Sequence, residues 1–160
     1  MKLNLHTSRY SAGDTIINSG WIPVRISVGS PRFATKYALL DAVVDLAPDY
    51  STIKMEPVDF NPRYLAKLEK KGLAHIRRQL EAVATRRNNP NLVLLCFENV
   101  LKGEACHRRL FAEVWERWTG EAVPELAEKT STKEKPKPSL SEPENKAGQG
   151  ATQGSLFGDL

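Results

Sequence analysis

Cys106, His107 and Arg108 are consecutive in a chain of 160 residues that holds two cysteines and three histidines. A thiol, an imidazole and a guanidinium side by side can supply a nucleophile, a proton carrier and an anion clamp. Ten residues upstream, Cys96-Phe97-Glu98 adds a second thiol and a carboxylate. Cys106 and Glu98 are therefore the candidates for the chemical step, with His107 assisting. Arg108 is a candidate for holding phosphate. So are Arg9, in Ser8-Arg9-Tyr10, and Ser30 and Arg32, in Ser27-Val28-Gly29-Ser30-Pro31-Arg32-Phe33. Gly, Ser, Pro and Arg after a strand make a loop that brings N–H groups and a guanidinium to an anion.

The elements around these residues can be read from hydrophobic spacing. Leu92 to Phe97 is a short apolar run preceded by the turn residues Asn88, Asn89 and Pro90. It reads as a strand buried on both faces. After a polar loop with Gly103, apolar residues recur at helical spacing: Leu110, Phe111, Val114, Trp115 and Trp118. Cys106 thus falls about where a helix begins. A helix N-terminus carries free N–H groups and partial positive charge, and can lower a thiol from ~8.5 into the range of about 3.5–7.5. The alternative is a small buried residue at a strand–helix junction.

Upstream, Lys2 to Leu5 reads as a first strand that ends in the cluster from His6 to Tyr10. Trp21 to Val28 reads as a second. Tyr37 to Leu46 has a helical pattern closed by Pro48. Asn61-Pro62 looks like a helix start, with Asn as cap and Pro in first position. Gly72 looks like its C-terminal cap, and Leu73, Ile76, Leu80 and Val83 continue as a second helix. His75 lies beside that stripe and reads as a partly exposed helix residue rather than a ligand. Strands separated by helices predict an α/β domain with a small, largely parallel sheet flanked by helices. In such sheets ligands bind beyond the carboxyl ends of the strands. The clusters around Arg9, around Arg32, and around Glu98 and Cys106 meet there if the three strands run the same way.

Composition sets the bounds. The apolar share is 41% and the net charge is +4. Residues 1 to 120 carry 18 Lys and Arg against 12 Asp and Glu, while residues 121 to 160 carry 5 against 7. A basic globular part suits a phosphate-bearing partner, nucleic acid among them. No signal peptide and no run near the ~20 apolar residues of a membrane span are read. Two cysteines are too few for a disulfide framework, so a cytoplasmic location with reduced thiols is the expectation.

The chain changes character after residue 126. Residues 127 to 152 read as a disordered linker of Lys, Glu, Ser, Thr, Pro, Gly and Gln. Residues 153 to 160 read as a docking peptide, because apolar Leu156 and Phe157 return at the tip of a polar arm.

Two resemblances follow from these residues. Cys96-Phe97-Glu98 at a strand end and Cys106-His107-Arg108 after it resemble the family called domain of unknown function 488, over roughly residues 1 to 126. The resemblance implies a small α/β domain and no settled activity. The tail resembles the bacterial sliding-clamp-binding pentapeptide, matching at Gln153, Ser155, Leu156 and Phe157 and departing at Gly154. That implies a sliding clamp as partner, with Leu and Phe filling an apolar pocket. Gly154 removes a side chain and adds backbone entropy, which lowers the expected affinity.

Several enzyme templates are excluded. A tyrosine-phosphatase loop needs an Arg six positions after its Cys, and Cys106 has Ala112 there. No Gly-x-Ser-x-Gly, Walker A or Gly-x-Gly-x-x-Gly motif is present. A metal site from Cys96, Glu98, Cys106 and His107 has an unusual ligand mix, and adjacent Cys and His do not easily reach one ion, so no metal or cofactor is expected. The expected function is that of a DNA-associated protein recruited to the clamp, with a phosphate or nucleotide site around Cys106. The alternative is a non-catalytic adaptor in which the cluster is structural.

Overall fold

The computed structural model describes residues 1–128. Met1–Ala127 form one compact unit. The expected linker and the docking residues Gln153, Ser155, Leu156 and Phe157 lie outside the described residues.

Four strands form one sheet: β1 (Asn4–Arg9), β2 (Ile22–Arg25), β3 (Asp41–Ala42) and β4 (Asn91–Cys96), in the order β1-β4-β2-β3. Every pairing is parallel, as the α/β reading expects. β4 is central, and Leu92, Val93, Leu94 and Leu95 are each fully buried. Its even positions face a core with Leu5, Val24, Ile26, Leu68, Leu80 and Phe111. Its odd positions face a smaller core with Tyr10, Ile16 and Trp21. That second core is capped by α1 (Gly13–Ser19). The first is covered by α2 (Pro57–Lys71), α3 (Leu73–Arg87) and α4 (His107–Thr119). Cys96 continues the even register, which turns its side chain toward the α4 side.

Four expectations need correction. The first strand extends to Arg9, because Thr7 and Ser8, though polar, are fully buried within the sheet. Gly13–Ser19, a turn-rich stretch around one apolar pair, is a helix closed by Gly20 at φ 72°. The helical pattern from Tyr37 to Leu46 is a loop followed by β3 and a 3-10 turn at Val44–Leu46. Asp41 decides that segment. Its carboxylate accepts from Arg86 Nη2 at 2.8 Å and Arg87 Nε at 2.7 Å, while its backbone pairs with Val24. Finally, the helix expected at Asn61-Pro62 begins at Pro57, so Pro57 and not Pro62 takes the first position. Pro62 sits inside α2, where it forgoes one helical hydrogen bond on an exposed face.

A further segment completes the frame. Thr7 N–H donates to Pro124 O at 3.0 Å, and Leu126 N–H donates to Thr7 O at 2.7 Å. The chain beyond α4 thus lies along the free edge of β1, in parallel at Thr7 and Glu125. Among the described residues no helix is long and apolar enough to cross a membrane.

Burial alone would raise the Asp41 carboxyl, but the hydrogen bonds and charges of Arg87 and Arg86 outweigh it and hold it below its ordinary value. A carboxyl depressed on folding adds stability above its unfolded value, about 3.9, and loses it as pH falls through the folded value. The urea midpoint of the wild type should therefore exceed that of Asp41→Asn at neutral pH. The gap should close as pH drops below about 4. A gap independent of pH would remove this role from Asp41.

Candidate functional site

The ends of β2 and β4 open into a cleft of about 690 Å³. Four of the predicted groups meet around its floor. Cys96 comes from the last residue of β4 and Glu98 from two residues later. Cys106 is the N-cap of α4 and His107 its first residue. All four line the cleft.

The local backbone explains the convergence. Cys106 is extended, at φ −151° and ψ 141°, while His107 is already helical. The two side chains therefore leave the backbone in different directions and meet again in space. Cys106 Sγ accepts from Arg108 N–H at 3.5 Å, which satisfies one of the orphan donors of the helix start. His107 Nδ1 lies 3.9 Å from Cys106 Sγ and 3.7 Å from Cys96 Sγ. Its Nε2 is 2.7 Å from Ile26 O. A carbonyl only accepts, so Nε2 carries a proton, and Nδ1 is aimed at both sulfurs. Tyr64 fixes the ring from behind, edge-on with centroids 5.3 Å apart. The Tyr64 hydroxyl is held in turn by donation to Leu46 O at 2.6 Å.

The charges are ordered by the same contacts. The neighbouring Cys96 is the largest influence on Cys106 and lowers it; burial opposes this, and His107 and Arg108 reinforce it. Cys96 moves the other way, raised by its bond to Cys106, by burial and by the charges of Cys106 and Glu98. Its thiol donates to Glu98 Oε1 at 3.2 Å. Burial alone would raise Glu98, but its interactions with Cys106 and Cys96 outweigh it and keep the carboxyl below its usual range. The floor thus brings together two sulfurs, an imidazole nitrogen and a carboxyl group.

The phosphate candidates fare differently. Arg108 has no exposed surface. Its Nε and Nη2 donate to the two oxygens of Glu125 at 3.1 and 2.8 Å. Arg108 does not line the cleft, and its Nη1 is buried with no hydrogen-bond partner. Arg9 ends β1 opposite Cys96 in register and does not line the cleft. Ser30 and Arg32 are exposed on the loop after β2, just past Ser27, Val28 and Gly29, which do line it. Arg109 lines the cleft, but its Nη1 donates to Thr7 Oγ1 and Val123 O, both at 2.8 Å.

The walls were not anticipated from the sequence. Tyr50, Ile53, Met55, Phe60, Phe97 and Leu110 make them largely apolar. Tyr50 and Phe97 remain 76% and 45% exposed, so a ligand entering here gains area from them. The loop from Asn99 is held by donation of Asn99 N–H to Glu104 Oε1 at 2.7 Å. The signal missed was the apolar content of Tyr50 to Phe60, a segment irregular in pattern.

No family model, no curated protein and no solved structure matches this chain.

Two outcomes test this description. In reduced, chelator-treated protein, alkylation of Cys106 should reach half its maximal rate below the ordinary thiol value of ~8.5. Cys96 should stay unreactive through neutral pH. Peptide mapping of the two labelled cysteines reads both, and a Cys106 profile centred at or above ~8.5 would contradict it. Glu125→Ala leaves the buried Arg108 charge uncompensated and should cost about 3–5 kcal/mol in chemical denaturation.

Proposed function

We propose that the protein is a small enzyme acting on a nucleotide or nucleic-acid end, brought to the replication sliding clamp by its C-terminal peptide. One observation carries the enzyme reading: Cys96, Glu98, Cys106 and His107, from two separate segments, converge at the floor of a cleft at the strand ends. A volume of about 690 Å³ lies in the range of small-molecule sites. The walls favour the base over the phosphate. Tyr50, Phe60 and Phe97 offer aromatic faces on which a base gains about 1–3 kcal/mol by stacking. Phosphate is then directed outward along the loop that carries Ser30 and Arg32, and Arg108 takes no part. Cys106 supplies the nucleophile, and Glu98 and His107 manage protons.

The tail reading rests on Gln153, Ser155, Leu156 and Phe157 and their likeness to the clamp-binding pentapeptide. Burial of Leu156 and Phe157 contributes about 1.5–3 kcal/mol each, and ordering the arm offsets much of it. We further propose that the chain is a divergent member of the unknown-function 488 family. The support is that its two motifs, Cys96-Phe97-Glu98 and Cys106-His107-Arg108, form one contact cluster. A second reading, a non-catalytic adaptor, is favoured by the burial of Cys96, His107 and Arg108. A Cys106→Ala protein that folds and keeps every function would select it.

Titration with deoxynucleoside monophosphates, followed by amide NMR, should show saturable shifts around Phe97 and Tyr50. Phe97→Ala should weaken binding by roughly tenfold. No saturable binding at millimolar ligand would sink the nucleotide reading. Full-length protein should bind purified clamp with micromolar affinity, about −8 kcal/mol. The double change Leu156→Ala and Phe157→Ala should abolish that binding, and unchanged binding would remove the tail from the account.

A further inference from the structure

We infer that Cys96, Cys106 and His107 form a binding site for one thiophilic divalent metal ion of the zinc class. One ligand atom from each of the three residues lies within 4.8 Å of the other two. A tetrahedral ion with bonds of about 2.3 Å to sulfur and about 2.0 Å to nitrogen has sulfur–nitrogen edges of about 3.5 Å. The two edges here are 3.7 and 3.9 Å, so small side-chain shifts close the site. The sequence argument against adjacent Cys and His as joint ligands fails, because the extended N-cap and the first helical residue aim at one point.

The surroundings fit an ion as well as the ligands do. A metal-binding histidine is oriented by the hydrogen bond of its other nitrogen, and Nε2–H to Ile26 O plays that part. Tyr64 holds the ring plane. Arg108 N–H already donates to Cys106 Sγ, a contact that steadies a coordinating thiolate. Two thiolates and a neutral imidazole cancel the charge of a divalent ion, so burying it costs little. Sulfur and imidazole donors select zinc-like ions over magnesium or calcium. Three protein ligands leave a fourth position, and all three line the cleft, so that position faces whatever enters it. Glu98 stands outside the ligand set, with Oε1 3.2 Å from Cys96 Sγ, and the thiol protons displaced by the ion are released to solvent. The inference does not depend on the nucleotide reading, since the metal is tested alone.

The experiment uses the full chain, reduced and stripped with chelator, titrated with cobalt(II). One equivalent should produce a near-ultraviolet thiolate-to-cobalt band and strong visible bands of a four-coordinate ion. Zinc should displace the cobalt and magnesium should not. Zinc should also protect Cys106 from alkylation at neutral pH, which peptide mapping separates from Cys96, the other cysteine of the chain. Cys96→Ser, Cys106→Ser and His107→Ala should each weaken binding on the order of a hundredfold, while His75→Ala should leave it unchanged. The zinc protection assay on unaltered protein decides the matter if the variants do not fold. Absence of the charge-transfer band at saturating cobalt, or alkylation of Cys106 unchanged by zinc, overturns the site. Nucleotide titration of stripped protein is read separately, so either result can fail without the other.

Discussion

A guanidinium with no access to water must be neutralised inside the fold, and Arg108 is such a group. Glu125 does this with two parallel hydrogen bonds. The consequences spread in three directions. Glu125 can reach Arg108 only because residues 124 to 126 lie along the edge of β1. The same carboxylate accepts from Thr7 Oγ1 at 2.7 Å, which ties β1 into the pair. Arg109 closes the set from Thr7 to Val123. A buried ion pair is poor evidence of net stabilisation, since desolvation offsets most of its attraction. Its value here is positional. It fixes the first turn of α4, and with it Cys106 and His107.

That constraint explains a division of labour between two adjacent arginines and the cleft. Basic residues near an α4 start suggest an anion site, yet Arg108 points into the protein and Arg109 spends a donor on β1. What remains at the cleft floor is sulfur, imidazole and carboxylate beneath apolar walls. A dry wall strengthens each interaction below it, because the local dielectric is low. The opposite shifts of Cys106 and Cys96 are one result: two neighbouring sulfurs cannot both carry charge cheaply, so what favours it on one suppresses it on the other.

The legible parts of the sequence were those with strong periodicity. Leu92 to Cys96 has no polar residue, and only a strand buried on both faces uses such a run of that length; β4 is that strand. The α3 stripe and the α4 stripe were read for the same reason. Illegible parts were decided by partners far away in the chain. Tyr37 to Leu46 has a helical pattern, but Asp41 is held by arginines more than forty residues later. Pro62 looks like a helix start, but α2 is carried through it by the burial of Tyr64 and Leu68. Cys96, Glu98, Cys106 and His107 could be named as a group from sequence. The occupation of Arg108 by Glu125 could not, because that pairing is made by the turn of the chain after α4.

The adjacency of Cys106 and His107 shows how a boundary between conformations creates a site. Within a helix, neighbouring side chains diverge by about 100° and do not face each other. Within a strand they point to opposite faces. Where an extended residue meets the first helical one, two neighbours can turn to the same point, and Cys106 is that extended residue. The N-cap sulfur then serves two ends at once. It satisfies a backbone donor of α4, and it stands beside the imidazole nitrogen that Ile26 has freed. Cys96 reaches the same point because its register in β4 turns it toward α4. Sheet parity, a helix boundary and one carbonyl are enough to place three soft donors together.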